Sequence, residues 1–359
     1  MIELSRSYVR FGAFKNKGLK KFLTFSLSLL LISPFFSFYP DFQQSSEEED
    51  FLYASKLYND GLYDLAIAQL NQFINLYPNS IRILDAKYMV GMSYFKLDNL
   101  DEARKIFQRI DIDHPGTRRG EMSLFMVGVI YDKMGEHILA GETFKRMALF
   151  YPSSPEAPEA YFKAGESYKK AGNLDKAVEV FNELISRYPD LDQSIKGRLE
   201  LSRIYRGQKK FKFSLSELDR VSVHPLFEKF MIDIFIERAE TYTAMGDLES
   251  ARKILTDLTD KFKPVDEAIQ GYFKLGEIYI SLGDYKTAEK YFSQVLKNST
   301  DEALLNRTYV RYGDISFLEG KYDRALKYYL KSSIEKIETP EDYINLLKEG
   351  LCYEELEED

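Results

Sequence analysis

The sequence predicts an all-α fold in which about eight helix–turn–helix repeats of 37 residues stack into a solenoid, with one more helix capping the C-terminal end. Three observations predict it. Pro78, Pro115, Pro152 and Pro189 follow one another at intervals of 37 residues. Small residues recur in the same register. The chain also holds 26 Tyr and 26 Phe among 359 residues without one Trp, and a fixed period of this length is typical of repeat architectures.

Residues 1–40 are expected to be a signal peptide or an N-terminal membrane anchor. Six Lys and Arg residues precede the uncharged, strongly apolar stretch 22–38. This order is the layout of a secretory signal, and the stretch is also close to the length that spans a membrane. Because no pair of small residues typical of cleavage follows it, the sequence leaves open a cleaved signal, membrane attachment through 22–38, or a buried core helix. Either of the first two places the remaining chain in the periplasm or elsewhere in the cell envelope.

Residues 41–49 (DFQQSSEEE) predict an acidic linker between that segment and the repeats. Without residues 1–40, which carry six basic residues and one acidic residue, the net charge changes from −8 to −13. A body this acidic repels phosphate backbones, so we expect no nucleic acid among the partners.

Small residues occupy two fixed places of the 37-residue unit when the chain is laid out from residue 47. The eighth place includes Gly91, Gly128, Gly165, Gly276 and Gly313, and the twentieth place includes Ala66, Ala103, Ala140, Ala177, Ala251, Ala288 and Ala325. Tyr dominates the eleventh place, and Phe, Leu or Tyr fills the twenty-fourth. Small residues let two helices approach closely, and the large side chains would fill the space around that contact.

Each unit contains two stretches with the apolar spacing of amphipathic helices, for example residues 158–170 and 174–187. A glycine such as Gly172 separates them and predicts a left-handed residue after the first helix. The second helix should end at the Tyr-Pro pair, because proline cannot continue a helix and disfavours helix in the residue before it.

These units resemble the tetratricopeptide repeat (TPR) family, whose helix–turn–helix unit normally has 34 residues. The resemblance covers eight units over residues 47–341 and a half-unit within 342–359, which we expect to be a C-terminal capping helix with an acidic tail. It implies a right-handed superhelix and a non-enzymatic scaffold for protein–protein interaction. Residues 151–165 (YPSSPEAPEAYFKAG) are similar to TPRs of bacterial cell-envelope proteins of the outer-membrane assembly and Tol-Pal-associated types, which implies an envelope setting.

Unit five, residues 195–231, departs from the pattern. Ser202 and Ser214 replace the small apolar residues, Lys209 stands where glycine is expected, and Pro225 comes one place early. Two interpretations stay open: a tolerated variation, or a hinge between units one to four and six to eight.

Catalysis, cofactor binding and metal binding are not expected. His114 and His137 stand in places where other units have Tyr, and His224 lies at the corner of unit five. Cys352 is the only cysteine and lies on the last helix, so it can form no internal disulfide. Motifs for nucleotide binding, zinc hydrolysis or a serine nucleophile do not occur.

By resemblance to TPR proteins, the ninth, twelfth and thirteenth places should face a concave groove that binds a protein or peptide. The residues predicted there change from apolar to basic to acidic along the chain: Tyr58, Met92, Phe95 and Val129; Lys133, Lys169, Lys170, Arg203 and Arg206; Glu240, Glu277, Ile280, Asp314 and Phe317. One interpretation is variable surface. Another is a bound segment whose acidic end lies near residues 169–206. The alternative function is an assembly subunit that contacts partners through its convex face or end caps.

Overall fold

A computed structural model describes residues 46–261, 268–332 and 340–358. The segment predicted to be a signal or anchor lies outside these residues. Within the described ranges, no helix is both long enough and apolar enough to span a bilayer.

The described residues form seventeen helices and no strand, which confirms the predicted all-α class. The helices are α1 Glu47–Asn59, α2 Tyr63–Leu76, α3 Ile83–Lys96, α4 Leu100–Asp113, α5 Arg118–Lys133, α6 His137–Phe150, α7 Ala157–Lys170, α8 Leu174–Arg187, α9 Asp192–Gly207, α10 Phe211–Ser222, α11 Phe227–Met245, α12 Leu248–Lys261, α13 Ile269–Ser281, α14 Tyr285–Asn298, α15 Glu302–Leu318, α16 Tyr322–Lys331 and α17 Pro340–Glu358. Odd-numbered helices are the first helices of the units, and even-numbered helices are the second helices.

The first helix starts inside the predicted acidic linker, so the assignment of residues 47–49 to a linker was wrong. The Ser46 hydroxyl accepts a hydrogen bond from the backbone N–H of Glu49 at 3.2 Å, and the Glu49 carboxylate accepts one from the Ser46 N–H at 2.9 Å. This capping box, together with four acidic residues in the first turn, stabilises a helix N-terminus. The acidic run therefore begins the repeats.

Turns between the two helices of a unit adopt the left-handed conformation that the glycines predict. Gly172 has φ +74° and Gly246 has φ +82°. Two units place other residues there: Asp98 has φ 61° and Lys209 has φ 59°. Unit five therefore keeps the turn of the other units without its glycine.

The eighth and twenty-fourth places of a unit match each other in size. A glycine at the eighth place occurs with an aromatic ring at the twenty-fourth, and Ala or Ser occurs with Leu. The glycine pairs are Gly91–Phe107, Gly128–Phe144, Gly165–Phe181, Gly276–Phe292 and Gly313–Tyr329, and the others are Ala54–Leu70, Ser202–Leu218 and Ala239–Leu255. In every glycine pair the ring occupies the space that a Cβ would need. We call this the glycine socket.

First helices of successive units contact one another, as α7 contacts α9 and α9 contacts α11, whereas no described pair of second helices does so to a similar extent. The stack therefore curves with its first helices on the inner side, as the TPR resemblance implies. Described residues from Ser46 onward belong to one compact unit. The hinge in unit five stays a prediction.

Candidate interaction surface

A line of side chains follows the first helices, where the ninth place of one unit meets the sixth place of the next, 34 residues further along. From unit five onward every such meeting is an ion pair. The nitrogen–oxygen distances are 2.6 Å for Arg203–Glu237, 3.0 Å for Lys274–Glu240, 2.9 Å for Arg311–Glu277 and 2.6 Å for Lys348–Asp314. We call these four pairs the ion-pair ladder.

Further ion pairs join the rungs of the ladder to one another. Arg206 lies 3.1 Å from Glu237 and 2.8 Å from Glu240. Lys274 also lies 3.1 Å from Glu277, one turn away on the same helix. The ladder is therefore one network of alternating charge that links units five to eight and α17.

Charges in the ladder are stabilised by their neighbours. Burial alone would raise the pKa of Glu240, but Lys274 and Arg206 outweigh it and lower that pKa below its usual value. Burial would lower the pKa of Arg203, but Glu237 and Glu200 raise it. Each group is therefore held in its charged form by partners within the chain.

The cations predicted to receive an acidic end are among those already paired. Lys169 and Arg203 both contact the buried carboxylate of Glu200. Lys170 lies 2.7 Å from Asp132. Because these contacts satisfy the positive charges within the chain, an incoming carboxylate would have to compete with them.

One step of the line brings two acidic residues together. Glu166 is the ninth-place residue of unit four, and Glu200 is the sixth-place residue of unit five. Burial raises the pKa of Glu166; Glu200 adds to that rise, and Lys163 opposes it. The like charges interrupt the alternation at the N-terminal end of the ladder.

In units one to three the same line is mostly apolar. The Ser55 hydroxyl lies 3.8 Å from the sulfur of Met89, which is the first ninth-to-sixth meeting in the chain. The half-buried side chains of this part, which we call the apolar strip, are Tyr58, Met89, Met92, Phe95, Met126 and Val129. Sequence reasoning missed Met89 and Met126 because it did not assign the sixth place to the groove.

Lys133 borders the apolar strip on its C-terminal side. Its ammonium group pairs with Asp98 and lies 5.4 Å from the centre of the Phe95 ring. A cation in this position is attracted by the face of the ring. The change from apolar to ionic surface therefore occurs across units three and four.

Two later groove residues pack mainly within the repeats. Ile280 lies against the core of unit seven, and Phe317 meets the Tyr322 ring edge-on with centroids 5.3 Å apart. Both are half-buried. They contribute less to an open surface than the apolar strip does.

The histidines and the cysteine form local contacts. His137 Nδ1 lies 3.0 Å from the Asp132 carboxylate, and His224 Nδ1 accepts the backbone N–H of Leu226 at 3.1 Å. Cys352 is fully buried, and burial raises the pKa of its thiol. The described residues contain no group of three or more His, Cys, Asp or Glu that could hold a metal ion.

Comparison with known proteins identifies the repeat. Two family models of the tetratricopeptide repeat match residues 159–191 and 269–301, which hold the helix pairs α7–α8 and α13–α14. A third model, of subunit 3 of the anaphase-promoting complex (cyclosome), matches residues 37–110. None of these three is a catalytic family. No curated protein matches the chain.

Solved structures show the same fold. A tetratricopeptide repeat protein from Parabacteroides merdae is 15% identical, with 86% of this chain and 98% of that chain covered at a TM-score of 0.50. The C-terminal part of a TPR repeat-containing protein from Cytophaga hutchinsonii is 12% identical, with 72% and 99% covered at a TM-score of 0.46. The pilF protein of Pseudomonas aeruginosa is 12% identical, with 59% and 89% covered at a TM-score of 0.44.

These matches bear on the fold and the repeat, and leave the cellular setting to be proposed. TPR repeats generally mediate protein–protein interactions. The register of 37 residues, the helix pairs and the matched segments agree with one another, and the chain is therefore an all-helical repeat protein that contains tetratricopeptide repeats.

Proposed function

We propose that this protein is a non-enzymatic scaffold of the bacterial cell envelope that binds a partner protein segment along its first helices, with apolar residues of the partner on units one to three. The apolar strip is the observation that carries the proposal. Thioether and aromatic side chains adapt to many partner shapes and contribute much of the energy at protein interfaces.

The ion-pair ladder supports a different part for units five to eight. Its cations and carboxylates satisfy one another, so they gain little from a new partner and instead hold successive first helices together. The proposed partner therefore contacts the apolar strip first, and the acidic body orients it by charge.

A photo-crosslinking amino acid placed on this surface tests the proposal. We compare Met92, in the apolar strip, with Ile112, which is 73% exposed on the second helix α4. Crosslinking in the cells that produce the protein should give a discrete protein adduct from position 92. Adducts from position 112 alone would contradict binding along the first helices.

The envelope setting is supported by the basic segment and the apolar stretch 22–38, and by the similarity of residues 151–165 to envelope TPRs. Fractionation of the producing cells, followed by N-terminal sequencing of the recovered protein, tests it. We expect the protein in the envelope fraction. Recovery in the cytosol with an intact N-terminus would contradict this setting.

A second candidate function is an assembly subunit that binds through an end cap. The observation in its favour is the exposed apolar surface of α17, where Tyr343, Ile344 and Leu347 are each more than half exposed. Exposed apolar patches commonly mark interaction sites.

A further inference from the structure

The helix α17 is a first helix whose inner partner is absent from the described residues. It packs against α16, with Cys352 buried beside Tyr329. In the other units a second helix follows and covers the opposite face of the first helix. The consequence for α17 can be read position by position.

Gly350 holds the eighth place of this half-unit, and its socket is open. A Cβ built on Gly276 would lie 2.5 Å from the Phe292 ring, and one on Gly128 would lie 2.7 Å from the Phe144 ring. A Cβ built on Gly350 meets nothing within 4 Å. The glycine that elsewhere admits an aromatic ring is therefore present without its ring.

The neighbouring places show the same vacancy. Leu347 holds the fifth place, where Tyr88 and Phe273 are 7% and 0% exposed and lie 5.2 Å and 5.6 Å from the aromatic rings at the twenty-fourth place of their units. Leu347 itself is 64% exposed, and Tyr353, at the eleventh place, is 52% exposed. The apolar side chains that normally surround the inserted ring are therefore in contact with solvent.

The size rule of the repeats identifies the residue that fits this socket. In all five complete units with glycine at the eighth place, the twenty-fourth place is Phe or Tyr; units with Ala or Ser have Leu. The socket at Gly350 therefore fits an aromatic ring better than a leucine side chain, because a leucine would leave part of the space empty.

Charge identifies the helix that carries the ring. Residues 340–359 contain eight acidic residues and one basic residue, Lys348, which lies 2.6 Å from Asp314. A second copy of α17 would bring a second acidic set against the first, which like-charge repulsion disfavours. A basic helix is attracted to the same surface.

We propose that α17 binds a basic amphipathic helix of a partner protein, which inserts a Phe or Tyr ring against Gly350 and covers Leu347 and Tyr353 as a second helix would. This proposal deepens the end-cap candidate function and is independent of the apolar strip. A failed crosslink from Met92 leaves it unaffected, and its own failure leaves the groove proposal unaffected.

The chain itself supplies a probe for the experiment. The sequence of α14, YKTAEKYFSQVLKN, carries three lysines and one glutamate, and its Phe292 fills the socket at Gly276. A labelled, end-capped peptide of this sequence is titrated with the full chain, and fluorescence anisotropy reports binding. A peptide with Phe292→Ala is the matched control.

Three protein variants locate the site. Gly350→Ala closes the socket and favours helix, so it should fold as well as wild type. Leu347→Ser removes an exposed apolar contact. Gly207→Ala is the matched control, because a Cβ there also meets nothing within 4 Å and the residue lies far along the chain, at the end of α9. Circular dichroism melting confirms that all three variants fold.

We expect saturable binding of the α14 peptide, at least about tenfold weaker with Phe292→Ala, with Gly350→Ala or with Leu347→Ser, unchanged with Gly207→Ala, and weaker as salt is raised. Absence of saturable binding, or equal binding by Gly350→Ala, overturns the proposal. So does salt-independent binding. Self-association of the chain that Gly350→Ala abolishes, measured by analytical ultracentrifugation, would replace the basic partner with a second copy.

Discussion

The ring of Phe181 occupies the space beside Gly165 so closely that a Cβ on that glycine would lie 2.5 Å from the ring. The two residues belong to α7 and α8, the two helices of unit four, and Phe181 is fully buried. The glycine thus sets how closely the two helices approach, and the ring fills the space left between them.

Gly165→Ala should destabilise the protein by about 1–3 kcal/mol, because the added methyl group forces the Phe181 ring or the helix to move. Gly165→Ala combined with Phe181→Leu should cost less than the sum of the two single changes, since unit six uses the pair Ala239–Leu255. Free energies of unfolding from urea titration, arranged as a double-mutant cycle, measure the coupling.

The control for this cycle is Gly207→Ala, where the added Cβ meets nothing within 4 Å. It should be neutral or slightly stabilising because alanine favours helix. Additive single changes at Gly165 and Phe181 would show that the match in size has no energetic weight.

The repeat columns were predictable from sequence because each is set by a local requirement repeated every 37 residues. The helix 174–187 begins and ends as expected, since Asn173 caps it and Tyr188 precedes a proline. The turns at Asp98 and Lys209 were harder to predict, because only the surrounding helices force a residue other than glycine into the left-handed region. The start of α1 was misplaced because acidic residues suit both a linker and a helix N-terminus.

The ion-pair ladder was not predicted, although most of its residues were named. Comparison at a period of 37 sets equal places side by side, whereas contacts between units join the ninth place to the sixth, 34 residues apart. Arg203 was therefore compared with Glu240 and not with Glu237, its partner at 2.6 Å. The stagger between successive first helices exists only in the folded stack.

Loss of the ladder should make stability depend less on acid pH. The pKa of Glu240 is lowered in the folded state, so the unfolded chain binds its proton more readily. The stability from this group is present above its unfolded pKa and is lost as pH falls through the folded pKa. Lys274→Met removes a main cause of the lowered pKa, so the variant should be less stable at pH 7 and should lose less stability on acidification.

Urea titrations between neutral pH and about pH 3, which brackets the usual glutamate pKa, measure this difference. Lys105→Met is the control, because its pair with Glu102 is exposed and lies within one helix, α4. Such surface pairs contribute little. An equal acid dependence in wild type and Lys274→Met would refute the stabilising part assigned to the ladder.

Unit five replaces an apolar contact with a chain of buried hydroxyl groups. The Ser214 hydroxyl lies 2.8 Å from that of Ser202 and 3.0 Å from that of Thr241, and all three residues are buried. Ser214→Ala should destabilise by about 1–3 kcal/mol because Ser202 loses this partner while still buried. Changing Ser202 and Ser214 together to Ala should cost less than Ser214→Ala alone. Thermal melting compares the two variants, and equal losses would contradict a paired network.

The turn of unit five carries strain that a single substitution should relieve. Lys209 has φ 59°, a conformation that costs a residue with a side chain about 1–2 kcal/mol relative to glycine. Lys209→Gly should therefore raise the melting temperature, although the more flexible unfolded chain offsets part of the gain. The adjacent Lys210→Gly is the matched control: it removes the same charge where φ is −87°, so it should destabilise. A lower melting temperature for Lys209→Gly than for wild type would mean that the lysine side chain stabilises the turn by more than its backbone strain costs.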